Sequence, residues 1–211
     1  GGYAKIPGAT PEDLPLYHGS NAQFDSFDPT KFGTGEGADL FGKGAYLTDN
    51  KDLANFYANA TAKKEFIDGY KAGGPLGTDI PVYKPNADQL AAQKAVVNEF
   101  KPSGLKLFDV SKERVNDGLI KAIAKDLESR GLTKADAISE VKRTLEFARK
   151  NSSKIHNYRG ELNYLVQQHP GTGDLVANEL KQQGYDGAKY LSDKAYEGKG
   201  GNNYVIYNTE K

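Results

Sequence analysis

Apolar and polar positions alternate over short distances at both ends of the chain, and this pattern predicts β-strands. Apolar runs of three to six residues are interrupted by segments rich in glycine and proline, which is typical of strands joined by loops. The glycine-rich segment 28–44 is predicted to be one such loop, and 69–86 another. The predicted strands lie at residues 16–18, 45–48, 96–100, 105–110 and 203–207.

Helical spacing dominates the middle of the chain instead. Between residues 112 and 150, apolar residues recur every three or four positions in two stretches separated by Gly131. Thr133 is the predicted N-cap of the second stretch, and Gly184 is the predicted C-cap of a later helix. Further helices are predicted at 52–60, 159–169 and 172–183, and Asp49 and Asn50 are candidate N-caps for the first of these.

The order of these elements predicts an α+β fold. Strands with one helix come first, a helical stretch follows, and a strand closes the chain. We expect a single domain over residues 1–211, with the helical stretch at about 112–170 as an elaboration of it.

Composition excludes some kinds of site and disfavours one class of function. The 28 basic and 28 acidic residues sum to zero formal charge, which disfavours a protein that coats nucleic acid through a basic surface. The absence of cysteine excludes disulfides and thiolate metal sites. No apolar run approaches the roughly 20 residues of a membrane span, and no signal segment begins the chain. Because methionine is absent, we expect a fragment of a larger polypeptide or a processed product.

The segment Tyr17-His18-Gly19-Ser20 is the first candidate for chemistry. Taken alone, it is more typical of a structural histidine beside a turn. The functional interpretation is that the His18 ring donates a hydrogen bond to a ligand hydroxyl, while Gly19 lets the backbone approach the ligand closely.

Two tyrosines form the second candidate. Tyr46 lies in the predicted strand of Gly42-Lys43-Gly44-Ala45-Tyr46-Leu47-Thr48-Asp49, and Tyr57 lies on the helix that follows. The rings either pack in the core or face each other across a gap. In the second case they hold a flat aromatic ligand, and each stacked pair contributes roughly 0.5–1.5 kcal/mol. The third candidate, Gly200-Gly201-Asn202-Asn203-Tyr204-Val205-Ile206-Tyr207, is by itself typical of a closing core strand.

Together these three segments resemble the ADP-ribosyltransferase superfamily, in the branch of poly-ADP-ribose polymerases and diphtheria-type toxins. The likeness is strongest from Gly42 to Tyr57, where a second tyrosine follows the first by eleven residues. Gly184-Tyr185-Asp186-Gly187 and the closing strand resemble mono-ADP-ribosyltransferase domains of bacterial and phage polymorphic toxins. The likeness covers roughly residues 16–110 and 175–208, and the helical middle has no counterpart in it.

The resemblance implies a split β-sandwich with an NAD cleft and a mono-ADP-ribosyltransferase activity, with NAD as co-substrate. His18 then binds the ribose on the adenosine side, Gly19 holds the nicotinamide amide, and the loop at 28–41 covers the dinucleotide. The implied catalytic residues are His18, Tyr46 and Asn203, and the implied NAD-binding residues are His18, Gly19, Ser20, Gly44, Tyr46 and Tyr57.

The resemblance also implies a biological setting. We expect a secreted or delivered toxin or effector domain that acts in the cytoplasm of a target cell. Its acceptor is then a macromolecule, either protein or nucleic acid, and a neutralising immunity protein or antitoxin is a second expected partner.

Two positions depart from the family pattern. Asn203 stands where the family usually has a glutamate, and an amide carries no charge and cannot act as a general base. Glu36 or Glu197 supplies the charge in one hypothesis, and in others the domain works without it or binds NAD or ADP-ribose without cleaving it. Ala54 replaces a serine that contacts the nicotinamide amide, and Ser20 or Thr48 is a candidate substitute. Hydrolysis of NAD and a plain interaction domain are the remaining alternatives.

Overall fold

The computed structural model describes residues 15–28, 40–192 and 201–209. Within these ranges the chain forms eight β-strands and six α-helices, with short 3-10 turns between some of them. The strands are β1 Leu16–Ser20, β2 Ala45–Thr48, β3 Ile67–Lys71, β4 Ile80–Tyr83, β5 Val96–Phe100, β6 Leu107–Asp109, β7 Gly187–Leu191 and β8 Asn202–Ile206. The helices are α1 Lys51–Lys63, α2 Ala87–Lys94, α3 Asp117–Ser129, α4 Lys134–Asn151, α5 Glu161–Gln168 and α6 Gly173–Gln182.

Six of the strands form one mixed sheet in the order β5-β1-β2-β8-β7-β6. All neighbours are antiparallel except β6 and β7, which are parallel. Strands β3 and β4 pair only with each other in a separate hairpin. The described residues thus form a mixed arrangement of strands and helices, which is compatible with the predicted α+β class.

The two faces of the sheet are covered differently. Val205 of β8, Ala188 of β7 and Phe108 of β6 pack against apolar residues of α3, α4, α5 and α6, and these together form the larger buried cluster. The opposite face carries a smaller cluster that includes Leu16, Leu47 and Tyr204. Helices α3 to α6 therefore share a hydrophobic core with the sheet, and we call their side the helical face.

The predicted helices form where the apolar spacing places them. Asn116 and Thr133 accept hydrogen bonds from the first-turn amides of α3 and α4, which satisfies donors that the helix itself leaves unpaired. Gly184 follows the end of α6 with a φ of +87°, a conformation that glycine adopts without steric cost. No helix of the described residues has the length and apolar character to cross a membrane.

Four elements differ from the sequence-based expectation. The segment 69–86, predicted as a loop, contains part of the β3–β4 hairpin, and the short helix α2 follows it. Strand β7 was not predicted, although it lies between two strands of the main sheet. The β3–β4 ladder contains a register shift between Ile67 and Gly69, so its side chains do not show a clean two-residue alternation.

Candidate functional site

The junction between β1 and β2 is the first feature of the site. These strands share a single register pair, Tyr17 with Thr48, whereas β1 pairs with β5 along all five of its residues. Next to that pair, Nδ1 of His18 donates to the carbonyl oxygen of Tyr46 over 2.8 Å. The histidine side chain thus joins β1 to the backbone of β2 beside the one register pair that the two strands share.

The surroundings of His18 fix its protonation. Phe24 and Phe27 contact the ring edge-on, with centroids 5.6 and 5.3 Å away. Burial lowers the pKa of His18, and the hydrogen bond to Tyr46 opposes this only in part. The ring is therefore neutral at pH 7. With the proton on Nδ1, Nε2 is an acceptor, so a ligand hydroxyl donates to the ring rather than accepting from it as the sequence analysis expects.

This environment predicts a pH dependence of stability. The unfolded chain protonates histidine near pH 6.5, whereas folded His18 resists protonation, so the unfolded state binds more protons below that pH. We expect the free energy of unfolding to fall as the pH drops below about 6.5. His169, whose pKa burial also lowers, contributes to the same slope.

Urea titrations between pH 5 and pH 7.5 measure this dependence. His18→Gln is expected to flatten the slope, and His156→Gln, which replaces an exposed histidine, is the control. An unchanged slope in His18→Gln contradicts the assignment.

The Gly42-Lys43-Gly44 segment is held by packing as well as by hydrogen bonds. The Tyr46 hydroxyl donates to the carbonyl oxygen of Gly42 over 2.6 Å. Gly42 has a φ of +87° and lies against Ala177 of α6, where a Cβ atom would come within 2.5 Å. A Cβ on Gly44 would meet Val205 at 2.8 Å. Both glycines therefore have structural roles just before β2, the strand whose Tyr46 pairs with Val205 and packs against the larger buried cluster.

Asn203 carries the most unusual polar atom of the site. It lies on β8 between Thr48 of β2 and Tyr190 of β7 in register. Its Oδ1 is buried and accepts no hydrogen bond, although an unmade hydrogen bond at a buried acceptor costs about 1–3 kcal/mol. Such an atom requires an explanation, and a ligand donor is one.

Tyr57 lies on α1, which packs against β1 and contacts β2. Its side chain is 37% exposed, and its ring contacts that of Phe56, which is 58% exposed, edge-on at 5.7 Å. Ala54 is fully buried on the same helix, where its carbonyl oxygen faces Gly19. Helix α1 thus carries one exposed aromatic pair at the side of the sheet where β1 and β2 meet.

Most of the predicted site residues lie on the neighbouring strands β1, β2 and β8, with Gly44 just before β2 and Tyr57 on α1, but those on the strands do not share one face. Register places Tyr46, Thr48 and Asn203 on the helical face, because Tyr46 pairs with Val205 and Thr48 with Asn203. Tyr17 shares that face through its pairing with Thr48, so the next residue, His18, points to the opposite face.

Other predicted positions are divided in the same way. Gly19 alternates back to the helical face, and Ser20 shares the face of His18. Glu36, Glu197 and most of the loop predicted to cover the dinucleotide lie outside the described residues.

Asp49 is a residue of the site that sequence analysis interpreted differently. Asn50 alone caps α1, with its side chain accepting from the amide of Leu53 over 3.1 Å. The Asp49 carboxylate instead accepts from Asn202, at the start of β8. An aspartate after a strand is an ordinary helix N-cap signal, and no sequence pattern shows that its partner lies 153 positions away.

A cavity of about 440 Å³ lies elsewhere, between α3 and α4, where Ile120, Lys142 and Leu145 contribute to its lining. It contains none of the predicted site residues. Among the described residues, no three histidines or carboxylates are grouped so as to hold a metal ion. The junction of β1, β2 and β8 is therefore the candidate site.

Comparison with other proteins assigns no family to this arrangement. No protein-family model, curated protein or solved structure matches the chain.

Proposed function

We propose that the chain is a mono-ADP-ribosyltransferase that cleaves NAD and transfers ADP-ribose to a macromolecular acceptor. One observation carries the proposal. His18, Tyr46 and Asn203, singled out from separate sequence segments, lie on the adjacent strands β1, β2 and β8. The single register pair between β1 and β2 is compatible with a sheet that splits there, as the implied split β-sandwich requires.

In this proposal the dinucleotide crosses the junction of β1 and β2. The nicotinamide ring lies between Tyr46 and Tyr57, where a cationic ring gains both stacking and cation–π attraction. A ribose hydroxyl on the nicotinamide side donates to Oδ1 of Asn203. A hydroxyl on the adenosine side donates to Nε2 of His18, on the other face of the sheet.

The bond that breaks joins C1 of the ribose to the nicotinamide nitrogen. Its electron pair leaves with nicotinamide, which becomes neutral, and an oxocarbenium-like ribose remains. A nucleophile of the acceptor then bonds to C1 and loses its proton. The Asn203 amide orients the ribose but carries no negative charge. The negative charge that stabilises this cation therefore comes from another group.

Asn203 also favours a second candidate function. A site without a carboxylate beside the reacting carbon is suited to holding NAD or ADP-ribose without cleaving it. Where water replaces the acceptor, the same site acts as an NAD glycohydrolase. An effector role in a target cell, with an immunity protein as partner, follows from the resemblance and belongs to the same proposal.

The test is to incubate the purified chain with NAD and to measure free nicotinamide by chromatography. Release that is lost in His18→Ala and in Tyr46→Ala supports the proposal, and a labelled acceptor in a lysate distinguishes transfer from hydrolysis. NAD binding without release supports the binding module. If the chain neither binds NAD nor releases nicotinamide, both proposed functions are overturned.

Tyr57 offers a sharper test because the residue next to it on α1, Phe56, is also an exposed aromatic side chain. We expect Tyr57→Ala to weaken NAD binding about tenfold, the equivalent of about 1.4 kcal/mol, because one side of the nicotinamide stack is lost. Phe56→Ala is expected to leave binding within about twofold, because this ring is not assigned to the stack. Titration calorimetry with NAD measures both. Equal losses in the two variants remove Tyr57 from the site.

A further inference from the structure

Asp49 connects the end of β2 to the start of β8 through three hydrogen bonds to one residue. Its backbone amide donates to the carbonyl oxygen of Asn202 over 3.1 Å. Its carboxylate accepts from the backbone amide of Asn202 over 3.0 Å and from the Asn202 side-chain amide over 3.4 Å. The carboxylate thus continues the β2–β8 ladder by one step beyond the pair of Thr48 with Asn203.

The same carboxylate leaves little room around the start of β8. A Cβ on Gly201, the residue before β8, would lie 2.2 Å from Oδ1 of Asp49, so a larger residue there requires this carboxylate to move. On the other side, the amide of Ser192 donates to the carbonyl oxygen of Gly201 over 3.0 Å. The start of β8 is therefore held from both neighbouring strands, immediately before Asn203.

The charge of Asp49 also reaches the residue after Asn203. Burial, followed by the charges of Asp49 and Asp109, raises the pKa of Tyr204 well above its ordinary value. The Asp49 carboxylate thus lies close enough to β8 for its charge to act on Tyr204, whose side chain is on the face of the sheet opposite to that of Asn203.

We propose that Asp49 is a positioning residue that holds Asn203 in place and brings a carboxylate to the strand end where the family glutamate is missing. This inference rests on the proposed function. Oδ1 of Asn203 accepts no hydrogen bond that would orient it, and Asp49 fixes the backbone of β8 at the residue immediately before Asn203. Glu36 and Glu197 are then not required as the source of charge.

The geometry supplies a charge-swap experiment. In Asp49→Asn, the negative charge is removed, and the Asn202 side-chain amide has to turn its Oδ1 toward the new amide nitrogen to keep a hydrogen bond. In Asn202→Asp, two carboxylates face each other. The double variant restores one carboxylate opposite one amide with the positions exchanged.

We expect Asp49→Asn to lower the kcat of nicotinamide release at least tenfold, with KM for NAD within about twofold, because the interaction acts on the transition state. The double variant is expected to recover kcat to within about threefold of wild type. Asp52→Asn, which removes an exposed carboxylate from the first turn of α1, is the control and is expected to keep the wild-type rate. Urea unfolding of each variant separates loss of rate from loss of fold.

Each outcome bears on a different part of the proposal. Wild-type kcat in Asp49→Asn overturns the role of Asp49 while leaving the proposed function intact. A loss of kcat that the double variant does not recover, or unfolding of both variants, assigns Asp49 a structural role only. A wild-type chain that releases no nicotinamide overturns the proposed function, and this inference with it.

Discussion

Asn203→Ala is expected to slow nicotinamide release about 100-fold while raising the free energy of unfolding by about 1 kcal/mol. The two effects have opposite signs for one physical reason. In the free protein, Oδ1 of Asn203 is buried without a hydrogen-bond donor. Deleting this atom stabilises the folded state, because the cost of burying an unbonded acceptor disappears. In the transition state the same atom accepts from the ribose, and its loss leaves the developing cation without its nearest protein dipole.

Asn98 provides the matched comparison. It is a buried asparagine of the same sheet, whereas Asn203 is partly buried, and its Oδ1 accepts from the amide of Phe24 while its Nδ2 donates to the carbonyl oxygen of Ala22. Asn98→Ala is expected to lower the free energy of unfolding by about 2 kcal/mol, because two backbone groups lose their partners. Urea titration and nicotinamide chromatography measure both variants. A destabilised Asn203→Ala, or one with the wild-type rate, shows that Asn203 is an ordinary strand residue.

The elements that sequence analysis predicted are those whose signal is local. Leu119, Ile123, Val141 and Leu145 repeat at helical spacing, and each of α3 and α4 begins at a residue that caps it. Strand β7 has no comparable signal. Its residues Gly187-Ala188-Lys189-Tyr190-Leu191 are strand because β6 and β8 pair with them on either side, and a ladder between distant segments leaves no mark in five residues.

The features of the candidate site likewise divide into those that the local sequence predicts and those that depend on pairing between distant strands. His18, Tyr46 and Tyr57 were identified from short motifs, because residue types and their spacing stand in the sequence itself. The face of the sheet on which His18 lies depends on its register with β5 and β2, and the partner of Asp49 depends on the β2–β8 ladder. The local sequence predicts neither the face of His18 nor the partner of Asp49, since a shift of one residue in the strand register moves every side chain to the opposite face.

A glycine in this chain can be both part of a sequence motif and a residue that close packing between distant elements requires. The resemblance implies that Gly44 binds NAD, yet Gly42 and Gly44 are also required by the close approach of α6 and β8. Gly19 likewise permits ligand approach in the functional hypothesis, and in the structure it lies directly against the backbone of α1. The packing role and the ligand-binding role of Gly19 are compatible, because the helix that packs closely against Gly19 is α1, which also carries Tyr57.

Gly19→Ala is therefore expected to lower the free energy of unfolding by about 3 kcal/mol and to reduce NAD binding more than tenfold even where the chain still folds. A Cβ at this position would lie 2.0 Å from the carbonyl oxygen of Ala54 and 2.6 Å from the amide nitrogen of Ala58. Both are backbone atoms of α1, so no side-chain rotation relieves the clash, and the helix moves away from β1. Tyr57 moves with it, and the gap that is proposed to hold nicotinamide changes its width.

Gly69→Ala is the control, because a Cβ there has no neighbour within 4 Å and β3 stands outside the main sheet. Its stability is expected to stay within about 1 kcal/mol of wild type. Thermal unfolding and NAD titration of both variants test the prediction. A Gly19→Ala chain as stable as Gly69→Ala contradicts the close contact between α1 and β1. A destabilised chain with unchanged NAD affinity keeps the contact but separates α1, and Tyr57 with it, from the binding site.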